Sequence, residues 1–129
     1  SLQASLARSQ LRRLDYFLQK RRAIAEVYFD ELTDLNVKLP HKIRNRTNFF
    51  RFPIRIHKPV DLVIGKFADE GIQVRRGVDT LLHRWLKLPN AKFPIAEQCF
   101  EETLSLPIYP DLTPGEQARI IRSCHKILK

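Results

Sequence analysis

The stretch from Phe93 to Glu116 constrains this chain more than any other part of it. The middle of the run from Phe93 to Thr113 reads as a helix. It is stopped by the short extended run Leu104-Ser105-Leu106-Pro107-Ile108-Tyr109-Pro110, whose two prolines cannot continue a helix. Thr113-Pro114-Gly115-Glu116 then supplies a helix N-cap, a proline at the first helical position and a glutamate at the third, so a new helix begins there.

Upstream, the first 35 residues lack Gly and Pro, and Leu11, Leu14, Leu18, Ala25, Tyr28, Leu32 and Leu35 recur at three- and four-residue steps. This spacing predicts one long helix. Phe17, Ile24 and Val27 widen its apolar stripe, while Arg12, Arg13, Lys20 and Arg22 are expected in water. The helix should end between Asn36 and Pro40. From Thr47 to His57, Phe50, Phe52, Ile54 and Ile56 alternate with Arg51, Pro53, Arg55 and His57, the period of a strand with one buried face. Pro53 cannot donate to a ladder, which predicts an edge strand or an unpaired position. Pro59 to Glu70 reads as a second helix closed by Gly71, and Ile72 to Arg75 as a short strand. Arg76 to Lys92 has no clear period and is expected to be a long irregular connection. The class these elements define is α+β, a small antiparallel sheet covered by helices with a long N-terminal helix. A single domain spans 1–129, with the long helix over 1–35 and the α+β body over 36–129.

The composition, 43% hydrophobic and 29% charged, is that of a folded domain rather than a disordered segment. No apolar run approaches the ~20 residues of a membrane span, and no signal-peptide core is visible, so a cytoplasmic location is expected. Cys99 and Cys124 have neither metal-site nor disulfide spacing and read as reduced packing residues. The net charge of +9 raises the question of a polyanion partner. Lys38, Lys42, Arg44, Arg46, Arg51, Arg55 and Lys58 fall in one segment without an acid, and Arg12, Arg13, Lys20, Arg21 and Arg22 cluster on the first helix. No nucleic-acid-binding signature accompanies them, so orphaned interface charge is the reading preferred over nucleic acid.

The order of motifs from Phe93 to Thr113 closely resembles the end of the DegT family of sugar aminotransferases, with its "fP-x-A-E … LSLP-x-YP-x-LT" stretch. Ser1 to Asp15 is similar to the family's "lqAAlglaQLkrLd" helix. The resemblance implies that the chain is the C-terminal portion of such a protein. The larger part, holding pyridoxal phosphate and its anchoring lysine, is not included. It also implies a nucleotide-linked keto-sugar substrate, a partner N-terminal domain and a homodimer. Lys66, Lys87 and Lys92 lack the family's cofactor-lysine motif, so this chain alone is expected to bind no cofactor and to be inactive. A non-catalytic binding module that kept the fold is the alternative.

Gly71 to His83 aligns without a gap on the family's "GIgTRihYPiPLH" segment, which reaches over the active site. Gly71, Ile72, Arg75, Leu82 and His83 match, whereas Gly77, Val78, Asp79 and Leu81 depart. The resemblance therefore implies substrate-side roles for Arg75 and His83, whose side chains suit phosphate, carboxylate or hydroxyl contacts. A surface ion pair for Arg75 and a turn cap for His83 compete with that reading. Where many members have "YHLYVIR", this chain has Phe49 to Arg55, which puts Phe50 and Arg51 on the expected binding face. Trp85, the only tryptophan, reads as a hydrophobic anchor in preference to a stacking platform. No catalytic constellation or metal motif is present.

Overall fold

The computed structural model describes residues 1–41 and 47–129, so Lys42, Arg44 and Arg46 of the basic segment lie outside the described residues. Helices α1 (Leu2–Arg12) and α2 (Leu14–Glu31) lead into β1 (Val37–Lys38) and β2 (Phe52–Ile56). Next come α3 (Val60–Asp69), β3 (Arg75–Arg76), α4 (Leu82–Trp85) and a 3₁₀ turn over Asn90–Lys92. The chain then forms α5 (Pro94–Glu102), β4 (Thr103–Leu106) and α6 (Pro114–Leu128). The sheet order is β1-β2-β4-β3, and every neighbouring pair is antiparallel. The expected small antiparallel sheet with helical cover is therefore present. β4 runs antiparallel to both β2 and β3, so those two strands are parallel to each other with β4 between them.

One core joins the layers. Phe52, Ile54 and Ile56 of β2 meet Val60, Val63 and Phe67 of α3, Tyr28, Phe29 and Leu32 of α2, and Ile120, Cys124 and Ile127 of α6. The α6 start is the capping box its sequence announces: Thr113 Oγ1 accepts from Glu116 N–H at 3.2 Å, and the Glu116 carboxylate accepts from Thr113 N–H at 2.8 Å. At its other end Lys58 Nζ donates to the carbonyls of Ile127 and Lys129 at 2.8 and 2.7 Å, which satisfies acceptors the helix leaves open. Gly71, at φ +70, ends α3 in the left-handed conformation that glycine adopts without penalty. Burial pushes the Cys124 thiol up to about 12, so it packs as a small apolar group.

Several elements differ from the sequence expectation for identifiable reasons. The long helix is two helices: Arg13 N–H turns to Gln10 O at 3.0 Å, an i→i−3 bond that tightens the chain, and α2 restarts from the Arg13 carbonyl. It also ends at Glu31 rather than near Leu35, and Val27 stays exposed. The β2 strand begins only at Phe52. Phe49 has φ 45, which reverses the alternation before the strand, so Phe49 enters the core and Phe50 is 67% exposed. Pro53 sits on an inner strand at an unpaired position: β1 covers only Arg55 and Ile56, leaving Pro53 without a partner on that side. Ladder pairing in the next segment is confined to Arg75 and Arg76, although Ile72 and Val74 alternate into the core as a strand would. The stretch from Arg76 to Lys92 contains α4 and the 3₁₀ turn, elements too short to show a period. Trp85 is 74% exposed, so among the described residues it is not a buried hydrophobic anchor.

Candidate functional site

Strand register builds the site. Pro53, Ser105 and Arg75 are aligned across β2, β4 and β3, so they share a face of the sheet. Arg51 and Gln73 lie two residues from Pro53 and Arg75 along the chain. With the Pro107-Ile108-Tyr109 segment beyond β4 and the ring of Phe50, these residues line a cavity of about 340 Å³. The structure thus brings Phe50, Arg51 and Arg75 together.

The two arginines differ in freedom. Arg51 Nη1 donates to the carbonyls of Arg76 and Gly77 at 3.3 and 3.0 Å, and its guanidinium lies 5.4 Å from the Phe50 ring centre. These bonds strap the start of β2 to the end of β3. Arg75 is exposed and, among the described residues, makes no hydrogen bond or ion pair. No carboxylate lines the cavity, so an anion entering it meets an uncompensated guanidinium. Tyr109 forms a wall, and its hydroxyl is held above the ordinary phenol range by burial and by Glu116 and Asp111.

His83 lies elsewhere. Its side chain is 6% exposed, its ring stacks on Phe93 at 4.4 Å, and its Nε2 meets Glu97 Oε1 at 2.6 Å. Arg84 grips the other oxygen of the same carboxylate. The Arg84 and His83 hydrogen bonds pull the Glu97 carboxyl down to about 2. Arg76, adjacent to Arg75 but on the opposite side of the strand, pairs with Asp61 at 2.6 Å, donates to Phe100 O at 2.8 Å and covers the Phe100 ring at 4.3 Å.

Sequence reasoning missed Gln73, Ser105 and Tyr109. Strand period alone places Gln73 beside Arg75, whereas Ser105 and Tyr109 need the register of β4. It also missed Arg21, counted above only as surface charge. Arg21 Nη1 donates to the carbonyls of Phe49, Phe50 and Ile108 and so fixes two walls of the cavity to α2. That role leaves no sequence signal, because its acceptors are backbone atoms.

The same α+β body is found in solved aminotransferase structures. An aminotransferase from Streptoalloteichus hindustanus, TlmJ, superposes with a TM-score of 0.87 at 26% identity, over 97% of this chain and 35% of that one. A crystal structure from Brucella abortus described as a DegT DnrJ EryC1 StrS aminotransferase superposes at 0.78 with 25% identity, over 93% of this chain and 33% of that one. The chain belongs to the DegT/DnrJ/EryC1/StrS aminotransferase family, which it matches over residues 1–125. Among curated relatives, the dTDP-3-amino-3,4,6-trideoxy-alpha-D-glucose transaminase of Micromonospora megalomicea is 27% identical over 98% of this chain and 37% of the relative. The erythromycin biosynthesis sensory transduction protein EryC1 of Saccharopolyspora erythraea is 31% identical over 87% and 32%. The chain therefore spans about a third of the length of the curated relatives it matches.

Family members depend on pyridoxal phosphate, which the family holds through a lysine. Among the described residues no lysine lines the cavity; Lys58 is committed to the end of α6 and Lys126 to Glu70. The cavity offers binding groups without the amine that holds the cofactor.

Proposed function

We propose that this chain is the substrate-side domain of a pyridoxal-phosphate-dependent aminotransferase acting on a nucleotide-linked or related keto-sugar. In this reading it closes one side of the active site and supports a homodimer. The observation that carries the proposal is a family match along nearly the whole chain, ending in a cavity where, among the described residues, the Arg75 guanidinium has no partner and no carboxylate forms part of the lining. Arg75 would bind the anionic part of the substrate, Arg51 and Arg21 would hold the walls in place, and Phe50 and Tyr109 would limit water at the rim. When bound in the longer protein, the cofactor supplies the electron sink for moving the amino group. His83 would act on this site from a distance, by fixing the start of α4 after the loop.

The test is to sequence the reading frame upstream of Ser1 and to assay the full protein for amination of nucleotide-linked keto-sugars. An upstream cofactor domain and an activity weakened by Arg75→Ala are expected. A frame without such a domain overturns the proposal and favours the non-catalytic binding module. One observation speaks for that second reading: a Cβ on Gly77 would lie 2.6 Å from Thr103 Cγ2, so the departure from the family's loop is built into the packing.

A further inference from the structure

The cavity walls continue past the end of their ladder. β2 and β4 pair from Arg55↔Thr103 to Phe52↔Leu106, and the same register carried two residues further sets Phe50 opposite Ile108, both of which line the cavity. The ladder stops for local reasons. Pro107 has no N–H, Phe49 at φ 45 turns the chain out of the strand, and Phe50 N–H donates to Asn48 Oδ1 at 3.0 Å instead of across the gap. The two extensions are left with carbonyls, acceptors that cannot bond one another.

Helix α2 supplies donors to them from one side. Arg21 Nη1 donates to the carbonyls of Phe49, Phe50 and Ile108 at 3.2, 3.3 and 3.0 Å, so a single nitrogen spans the gap between the walls. Tyr28, seven residues on and therefore on the same side of the helix, is wholly buried, and its hydroxyl donates to Pro107 O at 2.8 Å. Among the described residues Arg21 has no carboxylate partner, and these carbonyls are what answers its charge.

We infer that Arg21 is a positioning residue that stands in for the absent rung and thereby sets the width of the cavity between the Phe50 and Ile108 walls. Tyr28 ties the wall beyond β4 to the core, and Arg21 fixes the distance from that wall to the other. An α2 side chain, not strand pairing, then decides the size of the group admitted beside Arg75. The width rests on this chain's geometry alone; its effect on a substrate rests on the function proposed above.

NMR of the purified 129-residue chain reads the width without an activity assay. Cross-strand NOEs are expected between the Phe50 and Ile108 segments, and the carbonyl carbon resonances of Phe49, Phe50 and Ile108 should carry the guanidinium contact. Arg21→Met, which keeps an apolar stem, should shift those resonances together and erase the NOEs, while Ile54 and Leu104 in the ladder stay in place. Arg21→Lys, whose ammonium can donate to the same carbonyls, should restore them in part. Tyr28→Phe should move the Pro107 carbonyl alone. In the full-length protein, Arg21→Met should raise KM for a nucleotide-linked keto-sugar about tenfold with kcat within about twofold, the split expected when binding geometry is lost. Unmoved carbonyl resonances or retained NOEs overturn the inference. Met and Lys variants that both lose the ladder resonances make Arg21 a general stabiliser and overturn it as well. An unchanged KM in an active enzyme overturns its bearing on the substrate. A full-length protein without aminotransferase activity sinks the proposed function and leaves the NMR result to decide this one.

Discussion

Arg75 and Arg76 are neighbours on the same strand, and they show how one residue type is put to two uses. Arg76 faces the α3 and α5 side, where Asp61, Glu101, the Phe100 carbonyl and the Phe100 ring account for its charge and its donors. Arg75, turned the other way by the two-residue period of the strand, faces a cavity, and its side chain makes no hydrogen bond or ion pair among the described residues. A guanidinium with its partners in place fixes geometry. One left without partners beside a cavity is available to a ligand. Neither charge nor burial separates the two sides as clearly as this difference in satisfaction does.

Removing Arg76 should have the largest effect on stability. Arg76→Ala leaves the Phe100 carbonyl, Asp61 and Glu101 without their shared donor, and chemical denaturation should show a loss of about 1.5–3 kcal/mol. Arg76 as costly as an ordinary surface residue would erase the contrast. His83→Ala should follow at about 1–3 kcal/mol, since it removes a buried ring stacked on Phe93 and strips Glu97 of one donor. If that variant keeps its melting temperature while the full-length enzyme loses kcat/KM, His83 belongs with Arg75 instead.

Acid should affect the Arg76 side first. The folded state holds the Glu97 carboxyl at about 2, below its ordinary value of 4.5, so its contribution is complete above the unfolded value and is lost as pH falls from there toward 2. Hydrogen exchange across α4 and α5 should rise in that window, and Arg84→Ala should blunt the dependence. An exchange profile flat with pH would remove Glu97 from the account. The smallest stability change belongs to Arg75→Ala, within about 0.5 kcal/mol, while in the full-length enzyme kcat/KM should fall by the equivalent of about 1.5–3 kcal/mol. The opposite pattern, a destabilised domain with unchanged kinetics, would make Arg75 structural.

The parts of this fold that were legible in the sequence are those whose signal is local. The α6 capping box, the Gly71 helix stop and the alternation of Phe52, Ile54 and Ile56 each follow from a few adjacent residues. What the sequence hid depends on distant partners or on single backbone angles. The break at Arg13 involves no Gly or Pro, the exchange of Phe49 for Phe50 turns on one positive φ, and α4 is a single turn whose apolar residues face outward rather than inward. Of the residues singled out in the sequence, Phe50, Arg51 and Arg75 line one cavity. His83 does not line it, because its spacing from Arg75 spans a loop whose path no local pattern records.

The position of β4 also has a consequence in time. As the chain leaves the ribosome, β2 and β3 emerge far ahead of the strand that must sit between them, and neither can pair with the other. The inner edge of each stays open until Thr103 to Leu106 appears. Sheet formation here must close contacts between segments widely separated in sequence, the kind of pairing that forms slowly and leaves edges open to other nascent chains meanwhile. A product interrupted before β4 would carry β1, β2 and β3 without the strand that lies between β2 and β3.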